Sequence, residues 1–223
     1  MEWRDEDGTR LPMACWRAGP GYRMISSGVT GGGIGAREWV LNAQVPGRYA
    51  RTDPAGHVRE LAGRLGLTGP GVGMLTAAQV TDLVERDDEG VEVVATTGLR
   101  VPTWASSPAG RADRELADQE LAPGTINIIV ALPVPLSDPA LVNAVITATE
   151  AKTQAVLEAG FDGTGTATDA VCVAAPDATG VSEDFAGPRS VWGARIARAV
   201  HAAVLAGATT YAAALANGSR GRG

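Results

Sequence analysis

Lysine is almost absent from this chain. Among 19 Lys and Arg side chains in 223 residues, Lys152 is the only lysine and all the others are arginines. Histidine is scarce too, limited to His57 and His201, and the only cysteines are Cys15 and Cys172. These residues build no HxH, HExxH or CxxC spacing, so a metal site would have to rest mostly on carboxylates, and none is expected. Two cysteines so far apart do not make a disulfide framework and are expected as free thiols. Cys172, between Val171 and Val173, reads as a small inert core residue rather than a nucleophile. A net charge of −6 and a pI near 5.0, with no basic run interleaved with aromatics, exclude nucleic acid as a partner. No apolar run reads as a membrane span, and the start MEWRDEDGTRLP carries too much charge for a secretory signal. A cytoplasmic protein with no membrane partner is therefore expected, and homo-oligomerisation stays open.

What is present suits a globular core, since 45% of residues are hydrophobic and 20% charged. The length fits a single domain over residues 1–223. Ala14 to Ser27 reads as strand, broken at Gly19-Pro20-Gly21, and SSGVTGGGIG follows as a glycine-rich turn. That turn fits neither the GxGxxG nor the GxxxxGK[ST] pattern, so no nucleotide phosphate is expected there. A tight bend in the sheet explains its glycines best, although such loops also present N–H groups to an anion or amide oxygen. Strands are expected over Arg37–Val45, after Gly71, over Val91–Gly98, in GTINIIVAL and in TDAVCVAA. Asp53 with Pro54 should cap a short helix through Leu65, which puts His57 in its first turn as a surface residue. Arg100 to Pro123 reads as an insertion that holds a short helix in ADRELADQELA. An alanine-rich helix is expected from Ser190 to Asn217, with a frayed tail from Gly218 to Gly223. The fold class is α+β: a single layered domain in which helices cover a mixed β-sheet of about six strands.

Lys152 falls inside a helix of about 139–159, with Asp138 as N-cap, Pro139 at its first position and Gly160 at its end. At helical spacing Val142, Val145, Ile146, Thr149, Thr153, Val156 and Leu157 form one apolar stripe, flanked by Ala144, Ala148, Ala151 and Ala155. Lys152 lies between the two flanks and should point inward. A buried ammonium needs a carboxylate, an escape to solvent or loss of its proton. Lysine can change protonation there and arginine cannot, which favours a working role for the sole lysine.

Taken together, SSGVTGGG, REWVLNAQV, GVGMLTAA, VVATTG, GTINIIV, TEAKTQAVLEAG and GTATDAVCVA resemble the adenosylcobinamide amidohydrolase family of corrinoid salvage, over about residues 22–205. The resemblance implies hydrolysis of the amide between the corrin propionate and aminopropanol, giving adenosylcobyric acid. It implies a small-molecule corrinoid as substrate and no required cofactor. It supplies no catalytic set, so candidates come from chemistry. Amide hydrolysis needs a nucleophile or activated water, a proton for the leaving amine and donors for the oxyanion. Two arrangements fit. In one, Thr166 or Thr168 attacks as part of a hydroxyl–lysine dyad; in the other, Glu150 or Asp169 activates water while Lys152 or glycine-loop amides hold the oxyanion. Glu150 lies two residues from Lys152, on nearly the opposite side of the helix, which makes Asp169 the better partner. Substrate-binding candidates are Ser27, Gly31, Gly32 and Gly33 in the turn, and Asn42, Thr76, Thr97 and Asn127 near strand ends. The rival from another class is a non-hydrolytic corrinoid-binding or carrier protein, which would yield no free aminopropanol.

The shortage of metal-ligating side chains sets the first test. Exhaustive chelation should leave amidase activity unchanged. Loss on chelation with recovery by one divalent metal would refute the metal-free reading.

Overall fold

In the computed structural model, which describes residues 1–47, 49–107, 124–177, 180 and 182–218, two β-sheets stack face to face with helices on both outer sides. The chain opens with a hairpin of β1 (Glu2–Glu6) and β2 (Thr9–Arg17). Its turn is Asp7-Gly8, both at positive φ (49° and 77°), the backbone that matches the twist of two-residue hairpins. The charged start is thus a strand pair, which the sequence reading left without an element. After Gly19-Pro20-Gly21 the chain leaves this sheet and forms β3 (Tyr22–Ser26) and β4 (Gly33–Ala36), then returns as β5 (Trp39–Gln44). Helix α1 (Pro54–Arg64) crosses over to β6 (Gly71–Thr76), which lies parallel to β5. The Asp53 carboxylate accepts from Gly56 N at 2.7 Å and caps α1 as expected. A Cβ at Gly73 would collide with Val58, so glycine there lets α1 sit close on the strand.

The second half builds most of the larger sheet. β7 (Val84–Asp88) and β8 (Val91–Thr97) form a hairpin turned at Glu89-Gly90. β9 (Ile126–Ala131), helix α2 (Asp138–Glu158) and β10 (Ala170–Pro176) form a parallel crossover, and α3 (Val191–Ala216) completes the chain. The strand orders are β1-β2-β5-β6 and β4-β3-β10-β9-β8-β7. The expected mixed six-stranded sheet is present, and a separate four-stranded mixed sheet lies against it. Pairing between distant segments decided that second sheet, and local periodicity carries little of it. The short helix expected over residues 112–122 and the tail beyond Gly218 lie outside the described residues.

Alternation along each strand sorts its side chains into layers. Ile126, Ile128 and Val130 of β9, with Val171 and Val173 of β10, share a core with α2 and α3, while Ile129, Cys172 and Ala174 face Met24, Val40, Val72 and Met74 between the sheets. On the far side Trp39, Leu41 and Ala43 pack under Leu61 and Ala62 of α1. Burial pushes the Cys172 thiol up to about 12, which fits an inert core cysteine. Both cysteines are free.

Four expectations need correcting. In α2 the buried face is Leu141, Ala144, Thr147, Ala148, Ala151, Lys152, Ala155 and Val156, whereas Val142, Ile146 and Leu157 are 45, 50 and 43% exposed. Small side chains let α2 pack close against α3 and the sheet, and that close approach outweighs the larger apolar residues on the other flank. The N-cap is Ser137, whose Oγ accepts from Ala140 N, while Asp138 forms a bidentate pair with Arg23 instead. By length and composition α3 could also reach across a bilayer, which the sequence reading missed. Here its Ile196, Val200, Val204 and Tyr211 belong to the core over the six-stranded sheet.

The fourth correction is His57, which is 2% exposed. Its Nε2 lies 3.2 Å from Glu6 Oε1 and its Nδ1 is 3.0 Å from the Tyr49 hydroxyl, which ties β1 to α1. Burial holds its pKa below the usual imidazole value; Arg51 and Arg4 add to the depression, and Glu6 and Glu60 oppose it. A base depressed in the folded state binds its proton more readily when unfolded. Its stability contribution is therefore intact above about pH 6.5 and lost as pH falls below that value. Thermal unfolding should show a falling midpoint from pH 7.5 to 5.5, and the slope over that window should shrink in His57→Gln. An identical slope in the variant would refute this assignment.

Candidate functional site

The turn that joins α2 to β10 carries the site. Gly160, at φ 84°, ends the helix, and residues 161–169 fold back to start β10. Asp169 immediately precedes β10, whose Ala170 pairs with Asn127 of β9. This register sets the Asp169 carboxylate beside the first amide of β9, so that Oδ1 accepts from Ile126 N at 3.0 Å. From the helix above, Lys152 Nζ donates to Asp169 Oδ2 at 2.6 Å. From within the turn, Thr166 Oγ1 donates to Oδ1 at 2.5 Å and Thr166 N to Oδ2 at 3.1 Å. Each carboxylate oxygen therefore accepts two hydrogen bonds. The Lys152 and Asp169 side chains are only 9 and 12% exposed, so the pair is held largely out of water.

Glycine makes this geometry possible. A Cβ on Gly165 would lie inside contact distance of both Asp169 Oδ2 and Lys152 Nζ. A Cβ on Gly163 would approach Thr103 N to 2.8 Å. That second glycine lets residues 103–105 pair with the turn: Thr103 N donates to Gly165 O and Thr164 N to Thr103 O, both at 2.8 Å. Thr153 of α2 donates to Thr164 O at 3.1 Å and fixes the turn from the helix side.

Three of the five catalytic candidates meet here: Lys152, Asp169 and Thr166. Thr168 is close in sequence but exposed, and its hydroxyl shares a 2.8 Å hydrogen bond with Thr125 Oγ1. Glu150 is exposed and lines a groove of about 250 Å³ between α2 and α3, with Gln154, Arg198 and His201. The structure does not bring it to Lys152, because two residues of helix turn it to the other side. No direct hydroxyl–lysine contact forms either, since Asp169 stands between Thr166 and Lys152.

The substrate-binding candidates are scattered. Asn42 and Asn127 are buried between the sheets, where Asn127 Nδ2 donates to Asn42 Oδ1 at 2.8 Å and Asn42 Nδ2 to Thr96 Oγ1 at 3.0 Å. Thr76 Oγ1 accepts from Ala78 N as a turn cap, and Thr97 Oγ1 faces Gly207 of α3. Ser27 extends the β3–β10 ladder through both its N–H and its hydroxyl to Val171. The glycine-rich turn is a joint between the sheets. Thr30 exchanges two backbone bonds with Gly73, Gly31 packs on Gly71 O and accepts from Arg37, Gly32 follows, and Gly33 opens β4. The bend reading of that turn fits these contacts. Sequence reasoning missed Thr103 and Trp104, which lie far from the turn in sequence and reach it only through backbone pairing.

Gly165→Ala should drive Lys152 and Asp169 apart, costing about 3 kcal/mol, on the scale of a broken buried pair. Gly63→Ala in α1, where nothing lies within 4 Å of the added methyl, should be neutral or slightly stabilising. Urea unfolding of the two variants checks the contrast, and equal stability would refute the close-approach argument.

A relative from Methanosarcina mazei named adenosylcobinamide amidohydrolase is 32% identical over 145 residues, and the aligned part spans 65% of this chain and 65% of the relative. The family model described as adenosylcobinamide amidohydrolase matches residues 2–216. The chain belongs to the adenosylcobinamide amidohydrolase family.

Proposed function

We propose that this protein hydrolyses the amide joining a corrin propionate to aminopropanol in adenosylcobinamide, releasing aminopropanol and adenosylcobyric acid. Family membership supports the substrate. One observation carries the chemistry: the Asp169 carboxylate joins the Lys152 ammonium to the Thr166 hydroxyl.

Both Asp169 oxygens are already occupied by donors, so neither offers a free lone pair to an attacking water. Among the described residues, the one hydroxyl that donates to this carboxylate is that of Thr166. In the proposed reaction Thr166 Oγ1 attacks the amide carbon, and its proton passes to Asp169. Lys152 keeps Asp169 in place and supplies positive charge beside the oxyanion that develops. The proton then moves to the departing nitrogen as the C–N bond breaks, and free aminopropanol leaves. Water cleaves the resulting ester, restoring Thr166 and leaving the corrinoid carboxylate. No nucleotide or metal enters these steps.

Chromatographic separation of products after incubation with adenosylcobinamide alone tests the reading. Thr166→Val should lose roughly a thousandfold or more in turnover, Thr166→Ser should keep much of it, and mass spectrometry should detect a corrinoid ester on wild-type protein. Lys152→Arg and Lys152→Met should each fold and lose on the order of a hundredfold. Near-wild-type turnover in Thr166→Val would transfer the attack to water. Tight corrinoid binding with unchanged substrate would identify a carrier instead.

A further inference from the structure

Trp104 is a large apolar side chain left 45% exposed, and it belongs to none of the hydrophobic cores. Single exposed hydrophobic residues are ordinary. This one differs because both its backbone and its ring are held. The residue before it pairs with Gly165, the residue after it donates from N–H to Thr164 Oγ1 at 2.9 Å, and its own indole N–H donates to Asp162 Oδ1 at 3.0 Å. An aromatic plate fixed in this way has already lost the rotational freedom that binding would otherwise cost. It is fixed to the turn that carries Thr166 and Asp169: Thr103, the residue before it, pairs with Gly165, the residue before Thr166.

We infer that the Trp104 indole is the platform on which the flat, largely apolar corrin ring rests while its side-chain amide reaches Thr166. This inference rests on the amidase reading above. Only two methylenes of the propionate separate the ring edge from the amide carbon, so the ring must lie close to the Gly163–Asp169 turn when the amide is at Thr166. The ring is also too broad to enter the protein beside so tightly packed a turn, and it lies on the surface. There Trp104 offers an exposed aromatic face held to the same turn as the nucleophile, with its polar edge already satisfied by Asp162, so that contact with an apolar plate leaves no stranded donor. Trp104 is a binding residue that contributes to KM and takes no part in bond breaking.

The test compares wild type, Trp104→Ala, Trp104→Phe and Asp162→Ala in the full chain, each confirmed as folded by its thermal midpoint. Binding is read by equilibrium dialysis against adenosylcobinamide and against cobinamide carrying cyanide in place of the adenosyl group, and steady-state kinetics are run alongside. Trp104→Ala should weaken binding of both corrinoids roughly tenfold or more, the scale of one lost aromatic stacking partner, and leave kcat within about threefold. Trp104→Phe should recover most of the affinity, and Asp162→Ala, which frees the ring, should fall between. Should Trp104→Ala fail to fold, the other two variants carry the same comparison. A loss confined to the adenosyl form would give the platform to adenine and overturn the corrin assignment. Unchanged affinity for both forms, or a fall in kcat at unchanged affinity, would also overturn it. Wild-type protein that binds corrinoid without releasing aminopropanol would refute the amidase reading while leaving the binding comparison intact.

Discussion

A buried carboxylate with every lone pair engaged is the constraint on which the functional half of this chain depends. Taking Lys152 and Asp169 out of water is costly, and their mutual attraction offsets that cost only when the remaining polar atoms are also satisfied. Ile126 N, Thr166 N and the Thr166 hydroxyl satisfy them. Each of those donors comes from a different structural decision: the parallel β9–β10 register, the reversal after α2 and the placement of a hydroxyl at the turn. Gly165 is the steric condition for all three, because no other residue leaves room between the two charges.

The position of this pair departs from the usual arrangement of parallel crossovers, in which ligands bind beyond the carboxyl ends of the strands. Ile126 opens β9 and Asp169 precedes β10, so the site lies at the amino ends of the parallel pair. The sheet is mixed, and that edge also receives the carboxyl end of antiparallel β8, where Thr97 pairs with Ile126. The chain that leaves β8 then supplies Thr103 and Trp104 to the same edge.

How much of this was legible in the sequence differs residue by residue. Lys152 was recognisable because the chain uses arginine elsewhere, and Asp169 followed from helix geometry, which turned Glu150 away. Thr166 and Thr168 could not be separated, since they differ only in how a glycine-rich turn orients them. Asp7-Gly8 carried a hairpin signal that the high charge of the surrounding residues obscured. The inward face of α2 was misassigned because side-chain hydrophobicity says little about how near two helices approach, and alanine permits the closest approach. His57 looked like a surface residue in the first turn of a polar helix. It is buried instead, with its Nε2 against Glu6 of β1, a contact between segments far apart in sequence. The four-stranded sheet was the hardest part to read, because β2 must skip β3 and β4 to find β5.

Polar residues at strand ends were expected to line a cleft, and the same chemistry works instead between the sheets. Asn127 donates to both Asn42 Oδ1 and Leu75 O, linking the central strand of one sheet to two strands of the other. An amide buried between apolar sheets tolerates only registers in which its partners are present, so slipping one sheet by a residue would strand several groups at once. Asn127 neighbours Ile126, the residue whose amide holds Asp169. The contact that fixes how the two sheets face each other therefore also fixes the first donor of the site. With that strand anchored, the turn after α2 can be rich in glycine without losing its geometry.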